Sequence, residues 1–577
     1  MSHSELKLGS ALSFAGTLIV DNGTALSGLG GTVDLSAGTL ESSGGTLNLD
    51  QFTTGANTAF KLSGNTEITS SDNMTFGTLD LGGNRLTLGT GSKGLTLPNT
   101  LTMDNVSSAI ETKNVNLTLG KALSLTSGSI TSTGGTLRFT GGLTLGASGV
   151  LDVTGSTLVA AGDLNLSSGT FSSSNASILR LQSATTLSSS NPVSFGSVNF
   201  EGQILTLGSA STELNLTDAN TALSLSGIAL ETGTGSLTLS GALALSNGAA
   251  LNSSGGTITL GSGASAPSGT SISLPETTLV LQSDLSLTGA TLKTKNTTFT
   301  TNANALTLSG GILEVSGVQD LGGVFPDNST TLRLAANSTI SDNASLSVGT
   351  LELADFALTL DDQMAGLSIA QLVTLDAAGE KLVTGAADLS LNGGISVTAG
   401  TLSSTGGTLT LPSGATLVSG ASFSTSNTTL NLGGSLAVAD TWTSTDTSIV
   451  LTDEASLSST EEMSLATLDT NGYGLQLASA TSDLTITEGV TIRYPAGGGP
   501  TINSGEADLT LDGTVNVPDG GILSSGGTVT FGAGSSGAFF TDNSGMMLED
   551  TILVLDTALD LPYLHFTGTS SFQTNGN

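Results

Sequence analysis

The sequence predicts an all-β chain wound as a parallel β-helix, or β-solenoid, with rungs of about 20 residues and three short strands in each. Three observations carry this expectation. Apolar residues alternate with Ser, Thr and Asn over strand-length runs, as in Leu123-Ser-Leu125 and Leu137-Arg-Phe139. Glycine pairs punctuate the runs, and one phrase built around such a pair recurs five times. Windows rich in Gly, Thr, Ser and Val show no persistent 3.6-residue period, which removes a helical alternative.

The first copy of the phrase ends Glu41-Ser-Ser-Gly44-Gly45-Thr-Leu-Asn-Leu49, and the others centre on Gly134-Gly135, Gly255-Gly256, Gly406-Gly407 and Gly526-Gly527. The spacings are 134 − 44 = 90, 255 − 134 = 121, 406 − 255 = 151 and 526 − 406 = 120. Steps near 20 residues fit 121 and 120 as six units and 151 as seven; 90 fits less well, as four long units or five short ones. At that step 577 residues give about 28 rungs. The glycine pairs are expected to supply the positive φ that sharp corners need. A single rung cannot bury its apolar face, so neighbours must stack, with Leu, Val, Ile and Phe inward.

Along the chain, residues 1–7 read as an N-terminal remnant or lead-in and 8–316 as regular solenoid. Over 317–396 the glycine pairs thin and charge rises, and Met364–Leu372 is helix-compatible; this reads as an irregular, more charged solenoid section, either the site of an insertion or drift among degenerate repeats. The solenoid then continues over 397–577.

Composition narrows function. The chain has 78 Gly, 10 Pro and no Cys, and 13 Lys plus Arg against 47 Asp plus Glu give a net charge of −34. Charged residues are only 10 % of the chain, well under the roughly 25 % of ordinary globular proteins. So acidic a surface with so few cations is a poor partner for nucleic acid. Without cysteine there is no disulfide or thiolate site, and His3 and His565 stand near opposite ends, which excludes a Ser-His-Asp triad. No apolar run approaches the ~20 residues of a membrane-spanning helix. Neither a signal peptide nor a cofactor motif is evident: Gly89-Thr-Gly91-Ser-Lys-Gly94 matches a dinucleotide fingerprint by letter, but a strand follows it where a helix is needed.

Candidate surface residues are the acidic pairs Asp361-Asp362 and Glu461-Glu462, with Tyr494 in the loop Tyr494-Pro-Ala-Gly-Gly-Gly-Pro500. Paired carboxylates on one face of a β-helix are what a carbohydrate-active enzyme would use. Their plainer role is a solvated corner. Asn-X-Ser/Thr acceptor patterns, as at Asn116, Asn165 and Asn337, follow from composition.

Phrases such as Ser-Ser-Gly-Gly-Thr and Gly241-Ala-Leu-Ala-Leu-Ser-Asn-Gly248 resemble bacterial surface β-helix repeats, namely autotransporter passenger domains and filamentous-haemagglutinin-type adhesins. The resemblance implies a segment of a longer secreted protein, extracellular or at the cell surface. It implies a non-catalytic structural or adhesive rod, or a filament subunit associating end to end, with a host or surface glycan or protein as partner. Alternatives are a carbohydrate-binding or carbohydrate-active β-helix and an ice- or mineral-binding surface. For the last, Thr257-Ile-Thr259 and its equivalents are interrupted in register by Asn48 and Arg138.

Overall fold

The computed structural model describes residues 5–8, 10–22, 25–28, 31–103, 105–262, 264–440, 442–478, 482–493, 501–535, 539–540, 544–559, 561 and 563–575. Among them there is no helix, and the strands stack in parallel as a β-solenoid of about 25 turns. The difference from 28 lies in turn length. Paired residues are mostly 19 to 25 apart, with extremes of 564 − 546 = 18 for Met546 and Leu564 and 502 − 475 = 27 for Leu475 and Ile502.

The chain divides into two compact units, Met1–Thr291 with Thr300–Leu306, and Leu292–Phe299 with Thr307–Asn577. In the first, one turn comprises strands Glu213–Leu216, Leu223–Ser226 and Ala229–Gly233. These pair in parallel with Ser236–Leu239, Leu243–Ser246 and Ala250–Ser253 of the next turn. Alternation therefore becomes inside and outside, because successive side chains on a strand point to opposite faces. Leu214, Leu237, Ile258 and Leu279 form an inward column, all buried. Asn215, Thr238, Thr259 and Val280 form the adjacent outward one. Leu123, Leu125, Leu137 and Phe139 are buried together, as their alternation predicts. The ladder already includes Glu5–Leu8, which pairs with Ala25–Gly28, so the lead-in contributes a strand.

The second unit repeats the scheme. Leu389, Leu409, Leu430, Ile449, Leu468, Val490 and Val515 stack turn upon turn, none more than 3 % exposed. Strand pairing runs through 317–396 as well, and the helix-compatible stretch there holds strand Gly366–Ile369. Alternation of Leu367 and Ile369 inward with Ser368 outward, in register with neighbours on both sides, overrides weak helix propensity.

Four of the five glycine pairs behave as expected, with φ at the first glycine of +123° (Gly44), +155° (Gly255), +136° (Gly406) and +144° (Gly526). Gly134 and Gly135 do not: neither has positive φ. What all five share is space. A Cβ on the second glycine would lie 2.4–2.5 Å from an oxygen, Asn22 Oδ1 at Gly45 and the carbonyls of Val115, Gly235, Ala386 and Glu506 at Gly135, Gly256, Gly407 and Gly527. At Gly135, Gly256, Gly407 and Gly527 the corner brings one turn's backbone onto the next, a contact that demands glycine whatever the φ, whereas at Gly45 the oxygen belongs to a side chain that can move aside.

Candidate functional site

The recurrent phrase carries a buried device besides its glycines. Two residues before each glycine pair stands a serine: Ser42, Ser132, Ser253, Ser404 and Ser524. Each is buried and shares a hydrogen bond with a buried hydroxyl one turn on. The pairs are Ser42–Thr66, Ser132–Ser156 and Ser253–Thr277 at 2.8 Å, Ser404–Thr428 at 3.1 Å and Ser524–Thr551 at 3.0 Å. Ser253 Oγ also lies 2.6 Å from the Gly255 carbonyl and Thr277 Oγ1 2.9 Å from that of Pro275. Hydroxyls at the corner thus satisfy carbonyls that the turn withdraws from the strand ladder, where leaving them bare is costly. Replacing Ser253 by valine is expected to lower stability by about 1–3 kcal/mol. The double variant with Thr277→Val should recover part of that loss in a urea-unfolding cycle, because both partners then leave together.

Acids and amides on the outside do a related job. Asn65, Asn116, Asp388 and Asp508 each use Oδ1 to accept the backbone N–H of the residue 20 further on, opening a strand of the next turn. Asp163 and Asp284 likewise accept the N–H groups of Thr186 and Ala305, 23 and 21 residues on, at or beside the start of a strand. Of the candidate acidic pairs, Asp362 follows this pattern and the other three carboxylates do not. Asp361 Oδ1 accepts from Gln363 N at 2.9 Å within its own turn, and Asp362 Oδ1 accepts from Ala386 N at 3.0 Å across turns. Glu462 Oε1 accepts from the Thr485 hydroxyl at 2.7 Å, and the Glu461 N–H donates to Ser459 Oγ. The two pairs fall in different turns and nothing brings them together. Tyr494 lies outside the described residues.

These bonds hold several carboxyls below the usual carboxylate range. For Asp50 and Asp550 the main cause is a backbone N–H, from Ser71 and Thr569 respectively. For Asp327 it is the Ser329 hydroxyl, then that of Ser309. A lowered folded-state pKa adds stability above the unfolded value of about 3.9, and that stability is lost as pH falls through the folded-state pKa. Asp327→Ala should therefore melt below the native chain at pH 7, and the gap should close as pH is lowered beneath about 4. Thermal unfolding across that range reads it. Asp342 runs the other way, its pKa raised chiefly by burial.

Cations are placed where they offset acids on other turns. Arg85–Glu111, Lys293–Glu314 and Arg333–Glu352 pair across one turn at 3.3, 3.3 and 2.6 Å, and Lys113–Glu67 across two at 3.4 Å. All are partly exposed, and such pairs are worth about 0–1 kcal/mol each.

An open groove of about 480 Å³ lies in the second unit, lined by Ser435, Glu454, Ser456, Gln476 and Asn503 among others. Glu454 Oε2 there accepts the Gly474 N–H at 2.9 Å. Among the described residues no group of three or more His, Asp or Glu side chains forms a metal site. Among the same residues there is no helix long and apolar enough to cross a membrane. Gly94 of the fingerprint-like run opens strand Gly94–Leu97, so no helix N-terminus is available to hold a phosphate there.

Fold and surface together define a parallel β-solenoid repeat protein whose recurrent polar residues join turn to turn. No protein family, curated protein or solved structure was found to match the chain.

Proposed function

We propose that the chain is a non-catalytic structural or adhesive element of a bacterial surface protein, acting outside the cell. One observation carries the reading: the corner hydroxyls and two of the candidate carboxylates, Asp362 and Glu462, are engaged in bonds that staple turns together. What remains outward is a repetitive array of Ser, Thr and Asn columns such as Ser347, Ser368, Ser390, Thr410 and Asn431. Like charges stacked at the ~4.8 Å strand spacing repel, whereas hydroxyls and amides tolerate it. Such a surface presents many weak, identical contacts, which suits adhesion through multivalency. Beads coated with the chain should bind glycan- or matrix-coated surfaces, and surface proteolysis of the producing bacterium should remove the protein. Retention of the protein inside protease-treated cells would overturn the extracellular placement, and beads that bind no better than bare ones would overturn adhesion.

The open groove at Glu454 favours a second reading, a saccharide-binding β-helix, because Gln476, Asn503 and two serines line it with amides and hydroxyls. A glycan array read with the native chain and Asn503→Leu would separate the two. An ice-binding face has less support: the threonine column Thr485, Thr510 and Thr530 ends at Val554.

A further inference from the structure

Residues 112–200 are charged against the trend of the chain. They carry Lys113, Lys121, Arg138 and Arg180 against Asp152 and Asp163, a balance of 4 − 2 = +2 in a chain of −34. Over 112–151 there is no Asp or Glu at all. Arg138 and Arg180 stand on one seven-stranded sheet of the first unit, running from Asn73–Thr75 to Ser197–Asn199, whose strands contain no carboxylate. Its outward column reads Thr96, Thr118, Arg138, Val159, Arg180 and Asn199.

On that face Arg138 stands apart. The chain has five arginines, and Arg85, Arg180, Arg333 and Arg493 pair with Glu111, Glu201, Glu352 and Asp469. Among the described residues Arg138 pairs with no carboxylate, and its Nε is buried without a hydrogen-bond partner. A buried donor lacking an acceptor is costly. Its neighbour in register, Val159, points outward yet is 1 % exposed, covered by the long side chains on either side. Lys121, exposed just past the preceding turn's strand, brings a second cation close: its carbonyl carbon would lie 2.8 Å from a Cβ on Gly141, three residues beyond Arg138. Two residues past Arg180, Gln182 Oε1 is another buried atom with no partner.

We infer that the face around Arg138 is a binding site for an anionic polysaccharide, its carboxylate or sulfate held by the Arg138 guanidinium with Lys121 adding charge. A guanidinium presents paired N–H donors in the geometry of such an oxyanion. Turned outward to one, Arg138 Nε gains the acceptor it lacks. Thr118 and Thr136 beside it and Gln182 beyond offer hydroxyls and an amide to the sugar hydroxyls. The rest of the chain, at −34 − 2 = −36, repels a polyanion, which confines the contact to this sheet. The inference rests on the adhesive reading and names a ligand for it. Its failure leaves adhesion through the Ser, Thr and Asn columns intact, and beads that bind no coated surface leave this site open to a soluble ligand.

The test is isothermal titration calorimetry of the full chain with oligogalacturonate, dextran sulfate, neutral dextran and a single-stranded oligonucleotide. At least one of the two anionic saccharides should bind and neutral dextran should not; the tighter of the two tells carboxylate from sulfate. Affinity should fall as salt is raised from about 0.01 M to about 0.15 M and the Debye length shrinks from about 30 Å to about 8 Å. Arg138→Gln should weaken binding about tenfold or more, with the far-ultraviolet spectrum unchanged. Arg138→Lys, which keeps the charge and loses the fork, should fall between. Arg333→Gln removes the same charge in the second unit and should bind as the native chain does. A native chain that binds neither anionic saccharide at low salt overturns the proposal, as does Arg138→Gln binding as tightly as native. Equal weakening by Arg333→Gln would reduce the effect to net charge and overturn the site, and tighter binding of the oligonucleotide than of either saccharide would overturn the ligand.

Discussion

Replacing Leu430 by aspartate is expected to unfold the turns around it, while aspartate at the next residue, Asn431, leaves melting nearly unchanged. Leu430 is wholly buried between Leu409 and Ile449 in the inward column. Removing a buried leucine costs about 2–5 kcal/mol from lost burial and the cavity left behind. A carboxyl in its place must either be buried neutral, with its pKa driven up, or open the turn to water. Asn431 lies on the outer face one residue on, its amide 3.4 Å from Thr410 Oγ1. Surface changes of that kind stay within about 0.5 kcal/mol. Because each turn touches only its neighbours, damage in a solenoid is local before it is global. Limited proteolysis should therefore cut Leu430→Asp near the altered turn first, and leave the Leu214–Leu279 column of the first unit resistant. Equal protease resistance of the two aspartate variants would show that the inward column does not carry the unit's stability.

The inside and outside of this chain were legible because a strand has a period of two and nearly every strand is half-buried. Leu137 and Phe139 alternate with Thr136 and Arg138, and the structure buries the first two. Turn length was less legible. Corners absorb one to several residues without disturbing the columns, so a step of about 20 drifts to 27 between Leu475 and Ile502. The glycine pairs were found by repetition, but their reason was misread at Gly134-Gly135. Backbone freedom is a local property that a dipeptide suggests; the approach of the Val115 carbonyl is a contact between turns. The buried serines were missed for the same reason. In the sequence Ser253 is one of many serines, and only stacking shows that it faces inward toward Thr277. Their constant place two residues before the glycine pair was the available signal.

The acidic pairs show the same limit from the other side. Adjacent carboxylates such as Asp361-Asp362 suggest chemistry when read along the chain. Across turns, Asp362 caps the strand-side N–H of Ala386, and its Oδ1 sits where a Cβ on Gly385 would be, 2.3 Å away. Side chain and glycine fit together as one corner. That fit accounts for why a chain with so few charges keeps acids at its corners.

The corner contact itself can be measured with two glycines that both have positive φ but differ in surroundings. Gly407 has φ +62° and a Cβ there would lie 2.4 Å from the Ala386 carbonyl oxygen and 2.9 Å from that of Ala387. Gly420 has φ +94° with nothing within 4 Å of the same position. Alanine at Gly420 meets only the conformational cost of a side chain at positive φ, about 1–2 kcal/mol. Alanine at Gly407 meets that cost and must also push one turn's backbone away from the next. The stacked strands on either side, Thr401–Ser404 and Thr408–Leu411, hold that backbone in register with both neighbouring turns. Relief of the clash therefore means breaking ladder bonds rather than moving a side chain, and the loss should exceed that at Gly420 by several-fold. Gly135→Ala supplies the control without positive φ, since its Cβ would lie 2.5 Å from the Val115 carbonyl oxygen. If close approach is what the glycine pairs are for, urea unfolding should rank Gly407→Ala and Gly135→Ala together, both far below Gly420→Ala. If Gly135→Ala instead proves as mild as an ordinary surface change, backbone conformation and not contact between turns is the constraint, and the five-fold phrase encodes a dihedral angle alone.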